Sequence, residues 1–558
     1  MRYLTKFTKW LLILTIATFF INCGGGGGSN SNKETPQEAS QNDEFTRSSY
    51  RGLNFYYKNM SPSNYKLIPL EESAFDSLSK IQKIQVAEKL LSTLFFGYPL
   101  NDLEKKVDSG VFLETLRTNL ETETTDKEWL ENYILDEEKF GKYKEWAKPQ
   151  AITILTRFYA MKDLDSYFLN NWIAYILTQT IMFSPAYELD SSHSPDISRV
   201  YNRLVTMLGT ESGMRYITYV HMMSEDNWRR FRSPEDNGRE MLEIFLQDTN
   251  DSHVPLAAQA LKNWKLNTES DTLEVSLNQN HQPLKLFNTT IYNGDDFYRE
   301  LVKSTQFTKG VTKRLVDFFF TESSEAKKVS IINSIVSSKP NTWQDILLQI
   351  IFSEEYLLHT ERAKSAEENF FPLAKKIDFK HQKSTFYHFK DYLEKMHQAS
   401  MKYKLGKLNR VPLDTLSFAY YHKFIRDSVL LKYSNPKYKD NYTSWGRSGW
   451  SDSFIDNNYL NLDSTDDVKS LDIFVNYLFT SIVSRQATTD ELKMFRDHII
   501  MAKDGKQLFR NEFNIFISHN EDLVKEKSMR EDRKRNIATI VLDYLSRLEA
   551  TYQIREVK

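Results

Sequence analysis

Four side chains able to do chemistry stand three and four residues apart within residues 233–264, SPEDNGREMLEIFLQDTNDSHVPLAAQALKNW: Asp236, Arg239, Glu240 and Glu243. On a helix such spacing gathers them on one side. Carboxylates so placed work as an acid–base pair in hydrolysis or as oxygen ligands for a divalent metal, and His281, downstream, is a partner for either. The arginine inside the row supports a different use, a network in which Arg239 and Glu240 fasten the helix to its neighbours beneath Trp264. Because the sequence displays neither a nucleophile nor a convergent cleft, the network is the preferred expectation and the carboxylate site the alternative. No cofactor is expected, and a divalent metal enters only with that alternative.

Other catalytic patterns are missing from the sequence. The single cysteine excludes a CxxCH haem attachment, and there is no P-loop, no GxGxxG opening a helix, no HExxH and no GxSxG. The 11 histidines are scattered; His381 and His388, seven apart, share a helix face, but residues 378–398 read as a solvated helix with basic decoration. Residues 441–463 interleave Trp445, Trp450 and Tyr459 with Ser, Gly and Asn. Aromatic faces stack on the apolar faces of sugar rings, so these three and Trp264 are candidate ligand-binding residues; the competing use is rings that tack a loop to the core.

The elements that position the acidic row are legible from local rules. Ser233 is a helix cap, Pro234 suits the first helical position, and Glu235 with Asp236 set negative charge against the free first-turn amides. Met241, Leu242, Ile244 and Phe245 supply the apolar side. A polar break over residues 247–252 precedes a second helix over 254–261, which returns Trp264 toward the first. Residues 265–294 then lose helical periodicity, with short strands expected over 272–277 and 284–287. An irregular insert held by rigid helices is a common place for recognition.

This segment resembles the bacterial domain-of-unknown-function 1800 family, whose members show a Glu-Asn-aromatic-small-Arg-Glu-Leu-Leu-Glu helix, a Val-x-x-Ala-Ala-Arg-Ala-Leu-Thr-Gly-Trp segment and a His-Asp pair. Arg239, Glu240, Glu243, Trp264 and His281 match, whereas Asp236 stands for Asn, Gln259 for Arg, and Gln282 for the Asp beside His281. The resemblance covers most of residues 80–550 and is specific only over about 205–360. The family has no established activity, so what the resemblance implies concerns the fold.

Elsewhere, three-four periodicity from residue 71 to 94 predicts one long amphipathic helix ending near Gly97, with a new helix started by Pro99 and an Asn101–Glu104 capping box. It recurs over 152–183 as a buried helix or pair, and over 311–335 and 474–499 as helix, break and capped helix. Residues 346–358 and 539–552 resemble each other as closing helices. Glycine is scarce outside residues 24–28, which hold five of the 18, and 36 Phe with 30 Tyr provide core material. The expectation is an all-α, large multi-helical body with short irregular or small β inserts.

The N-terminus addresses location. Arg2, Lys6 and Lys9 precede an apolar run over residues 10–21, and Cys23 follows. Twelve apolar residues fall short of the roughly 20 that span a bilayer. The pattern resembles a lipoprotein signal in a looser, spirochaete-like form with Asn22 before the cysteine. The expected organisation is a signal peptide over 1–22 and a lipid-anchored flexible linker over 23–50. Helical regions follow over 51–200, over 201–360 with the insert 265–294, and over 361–558 with the loop 441–463. Losing three basic residues with the signal takes the net charge from -2 to -5, 70 basic against 75 acidic residues, which argues against nucleic acid. The reading is a cell-envelope lipoprotein, at the outer membrane, that binds or scaffolds an envelope protein or polysaccharide; the alternative is an envelope hydrolase working through carboxylates near Glu240. Mass spectrometry of the mature N-terminus is expected to find Cys23 lipid-modified; an intact Met1 or an unmodified Cys23 contradicts that.

Overall fold

Long three-four periodicities with few glycines fold as helices here, and among the described residues the strands form five separate two-stranded pairs. The computed structural model describes residues 45–50, 53–58, 65–140, 149–182, 197–395, 415–430, 450–455, 467–498, 507–510, 516–518 and 535–557, apart from single positions 211, 232, 268, 271, 277, 280, 281, 382, 384 and 536. The chain divides into a small N-terminal unit and a large body that takes in the described residues from 65 onward. Phe45–Tyr50 and Leu53–Lys58 pair as strands. Among the described residues no helix is long and apolar enough to cross a membrane.

Within the body, early and late segments pack together. The helix Lys80–Thr93 meets the Tyr356–Thr360 turn through Lys89 Nζ, which donates to the Tyr356 and Thr360 carbonyls at 3.1 and 3.0 Å. The strand Arg362–Ala363 pairs antiparallel with Gln553–Ile554 near the C-terminus. The helix Ser166–Thr180 is buried on all sides; its Asp165 cap accepts from Phe168 N and also from the Thr124 and Thr125 amides, which ties two loops to one carboxylate. Trp172, Trp228, Trp343 and Trp450 lie fully inside.

Several local expectations need correction. The periodic stretch 71–94 is two helices, Glu72–Asp76 and Lys80–Thr93, because Ser79 and Gln82 form a capping box that restarts the second. The next helix, Leu100–Val107, begins at Pro99 with no side-chain cap, so the box at Asn101 is not used. The described part of 378–398 is not a solvated helix: Phe386, Phe389, Tyr392 and Leu393 of Thr385–Lys395 are buried, and His381, before that helix, stacks on Phe140 with ring centroids 4.5 Å apart. Over 474–499 the expected break holds, with Thr488 and Glu491 exchanging cap bonds at the start of Thr489–His498.

The segment 233–264 owes its small residues to close packing. Helix Pro234–Met241 is capped by Ser233, whose hydroxyl accepts from Asp236 N at 3.1 Å, and it crosses helix Val254–Leu261 so tightly that a Cβ on Gly238 would stand 2.8 Å from the Ala257 Cβ. Asn237 is buried beside the crossing, accepting from Tyr298 Oη at 2.7 Å. Gly238→Val is therefore expected to overpack the crossing and lower stability by about 1–3 kcal/mol in urea unfolding, with Ala257→Gly in the same chain recovering part of the loss. Equal stability of Gly238→Val and the parent would contradict the crossing.

Candidate functional site

The acidic row forms, but with partners other than those read from the sequence. Arg239 pairs with Asp251 at 2.9 Å and lies 4.0 Å from Glu235, so the expected Arg239–Glu240 fastening is not made. Neighbouring residues on a helix point in different directions, and Arg239 reaches the loop before the next helix instead. Glu240 is half-buried; burial first, then Glu243 and Asp236, raise its carboxyl above the ordinary range, against the pull of Arg230 and Arg314. Asp236 is exposed at the helix start and is also shifted upward, mainly by burial of its carboxyl, against Arg230 and Arg239. Glu243 contributes its carbonyl to Gln247 and Arg314.

The aromatic candidates divide by position. Trp264 is 2 % exposed, stacked on Trp228 at 6.0 Å and edge-on to Tyr298, with Nε1 donating to the Ser276 carbonyl. Trp450 is fully buried and donates to the Leu430 carbonyl at 2.7 Å. Neither ring presents a face to a sugar, which corrects the reading of both as ligand-binding residues: each indole N–H finds its partner inside the protein. His281, Trp445, Tyr459, Cys23 and His193 lie outside the described residues. Among the described residues no three His, Cys, Asp or Glu side chains gather to hold a metal ion.

The polar break between the two motif helices, passed over in the sequence as a connector, builds one wall of a groove of about 950 Å³. The helix runs into a wider turn at Leu242–Leu246 and stops at Gln247, whose φ of 57° is left-handed. Asp248 then accepts from Asn250 N and holds His253 Nδ1 at 2.6 Å, while Asn250 Nδ2 sits 3.3 Å from His253 Nε2. Asn250 and Asp248 between them engage both imidazole nitrogens of His253.

The insert supplies the facing wall. Strands Leu284–Leu286 and Thr289–Ile291 are joined by Phe287 and Asn288, both at positive φ, 55° and 59°, the backbone of a tight primed hairpin turn. A phenylalanine seldom takes that conformation, and here its ring is anchored against Phe297 at 6.0 Å. Glu300, Lys303, Ser304, Thr305 and Gln306, at the junction of helices Gly294–Lys303 and Thr305–Phe319, close the groove. The lining offers amides, hydroxyls and balanced charge: Lys285 bonds Thr290 and Lys303 bonds Glu300. The signal for this site was the run Gln247, Asp248, Asn250, Asp251 and His253 beside an insert with hairpin character.

No protein-family model, no curated protein and no solved structure matches the chain.

The raised carboxyl of Glu240 has a pH consequence. A carboxyl that is harder to ionise when folded destabilises the fold once pH exceeds its ordinary value, and the effect vanishes below it, where both states hold the proton. Glu240→Gln is therefore expected to raise the melting temperature at pH 7.5, with the gain fading as pH falls to about 4. A lower melting temperature for Glu240→Gln at pH 7.5 would restore a charged anchoring role.

Proposed function

We propose that the protein is a lipid-anchored cell-envelope binding protein, tethered through Cys23 at the outer membrane, and that its body engages an envelope polysaccharide along the groove between residues 247–253 and the 284–291 hairpin. The resemblance to the domain-of-unknown-function 1800 family belongs to the same proposal and rests on the motif residues of 233–264.

The observation that carries the reading is the groove's lining. Its volume of about 950 Å³ suits several sugar units more than a single small metabolite, and its side chains are chiefly neutral donors and acceptors: Gln247, Asn288, Thr289, Ser304, Thr305 and Gln306. Hydroxyl-rich polymers are recognised by such groups, with an aromatic face for the apolar side of a ring, and Phe287 is half-buried at this wall. The balanced charge of Lys285, Lys303, Glu300 and Asp248 disfavours nucleic acid, which needs a cationic track. Hydrolysis through Glu240 draws support from its raised carboxyl, but Asp236 is exposed and Arg239 is taken by Asp251.

Purified full-length protein in detergent is expected to co-sediment with peptidoglycan sacculi. Replacing the exposed Asn288 by Gly, which keeps the left-handed turn, together with Gln306→Ala is expected to weaken binding about tenfold with an unchanged melting curve. Absence of co-sedimentation, or full binding by the double variant, contradicts the proposal. Release of soluble sugar from the sacculi, lost in Glu240→Gln, would move the reading to hydrolysis.

A further inference from the structure

Remote from the motif in sequence, a second cavity of about 260 Å³ lies between helix Lys80–Thr93, the segment 361–364, residues 482–485 and the C-terminal 550–556. It falls below the roughly 300–1,000 Å³ of drug-sized pockets, so its occupant is small. Three of its charged side chains are already committed. Lys89 is held by two carbonyls, Arg485 by both oxygens of Glu491, and Glu88 by Lys376. Two cations differ: among the described residues neither the Lys364 ammonium nor the Arg555 guanidinium makes a hydrogen bond or ion pair.

Lys364 lines the cavity from a fixed backbone. Its N–H donates to the Tyr552 carbonyl at 2.8 Å and its carbonyl accepts from Tyr421 Oη at 3.1 Å, so the backbone is pinned on both sides. The charged groups that face it come from every element packed around it: Glu88 and Lys89 from helix Lys80–Thr93, Glu361 and Arg362 from its own segment, Glu368 and Lys376 from helix Ala366–Lys376, Arg485, and Arg555 with Glu556. Burial, then Lys376, bring the amine down to about 8, with Glu88 and Glu368 opposing and Arg362 adding to the fall. An amine so placed holds a neutral, nucleophilic fraction near neutral pH, as lysines do when desolvated beside other cations.

We propose that this cavity binds a small 2-oxo monocarboxylate covalently, as an imine on Lys364, with Arg555 receiving the carboxylate. The Lys364 nitrogen forms a bond to the carbonyl carbon, and the carbonyl oxygen leaves as water carrying the two amine protons; no oxidant or reductant takes part. Arginine matches the two oxygens of a carboxylate. The carboxylates of Glu361 and Glu556 at the same cavity oppose more highly charged anions, which favours an occupant with one negative charge.

The test uses full-length protein in detergent with pyruvate as the probe and cyanoborohydride to fix any imine, followed by peptide mass mapping. Lys364 is expected to be labelled at pH 7 on the order of tenfold faster than the exposed Lys285, and acetone, without a carboxylate, is expected to label it no faster than Lys285. Arg555→Ala, at an exposed position, is expected to raise the half-saturating pyruvate concentration while leaving the melting curve unchanged. Lys364→Arg is expected to remove the fast adduct. Labelling of Lys364 at the rate of Lys285, equal labelling by acetone and pyruvate, or an Arg555→Ala response identical to the parent would each overturn the assignment.

Discussion

A guanidinium with no exposure to water must be matched by a carboxylate equally buried, and that requirement organises this body. Arg362 is 0 % exposed, and it donates to both oxygens of Glu368 at 2.5 and 2.7 Å, to Tyr356 Oη at 2.7 Å and to the Ala363 carbonyl. Burial works against the charge on Arg362, but Glu368 and Tyr356 outweigh it and hold the guanidinium above its ordinary value. Such a pair is weak grounds for net stability, since desolvation offsets its attraction, yet losing one partner costs about 3–5 kcal/mol. The fold must therefore keep every group around it in place.

Those surrounding groups belong to widely separated parts of the chain. Tyr356 Oη is 2.7 Å from Thr93 Oγ1, Thr93 O accepts from Trp172 Nε1, and Lys89 closes on the same turn. Glu368 also accepts from Ser365 N, so the carboxylate that neutralises the arginine caps the start of its own helix. Arg362 lies in the strand that takes up Gln553–Ile554, which brings the C-terminus to the first helices. The cavity with Lys364 is a by-product of this closure: the charged centre fixes the strand, and the next residue faces the space left between the joined ends. The groove is positioned differently, by the tight crossing at Gly238 and by the anchored Phe287 turn.

What the sequence made legible was local. Ser233 with Pro234, and Thr488 with Glu491, act within a few residues, and each cap forms where side-chain chemistry places it. The all-helical body with small β pieces followed from periodicity and scarce glycine. Partners more than a turn away were not legible: nothing near Arg239 marked Asp251, and nothing near Arg362 marked Thr93 or Gln553. Two misreadings had visible counter-signals. Ser79 and Gln82 spelled a cap, but Leu78 and Ile81 kept the apolar spacing intact. Phe386, Phe389 and Leu393 made a stripe that the lysines around them obscured, although Lys390 itself is buried. Of the candidate site, the row Asp236, Glu240 and Glu243 was legible as a helix side, whereas its electrostatics depend on Arg230 and Arg314, from elements whose proximity only the fold creates.

If the buried arginine centre joins the early helices to the C-terminal strand, these segments must open as one unit. Native-state hydrogen exchange followed by mass spectrometry reports this directly. Amides of Lys80–Thr93, of residues 356–376 and of 551–554 are expected to share the highest protection and to lose it together as denaturant is raised. Early, independent exchange of residues 551–554, with the other two segments still protected, would contradict the account.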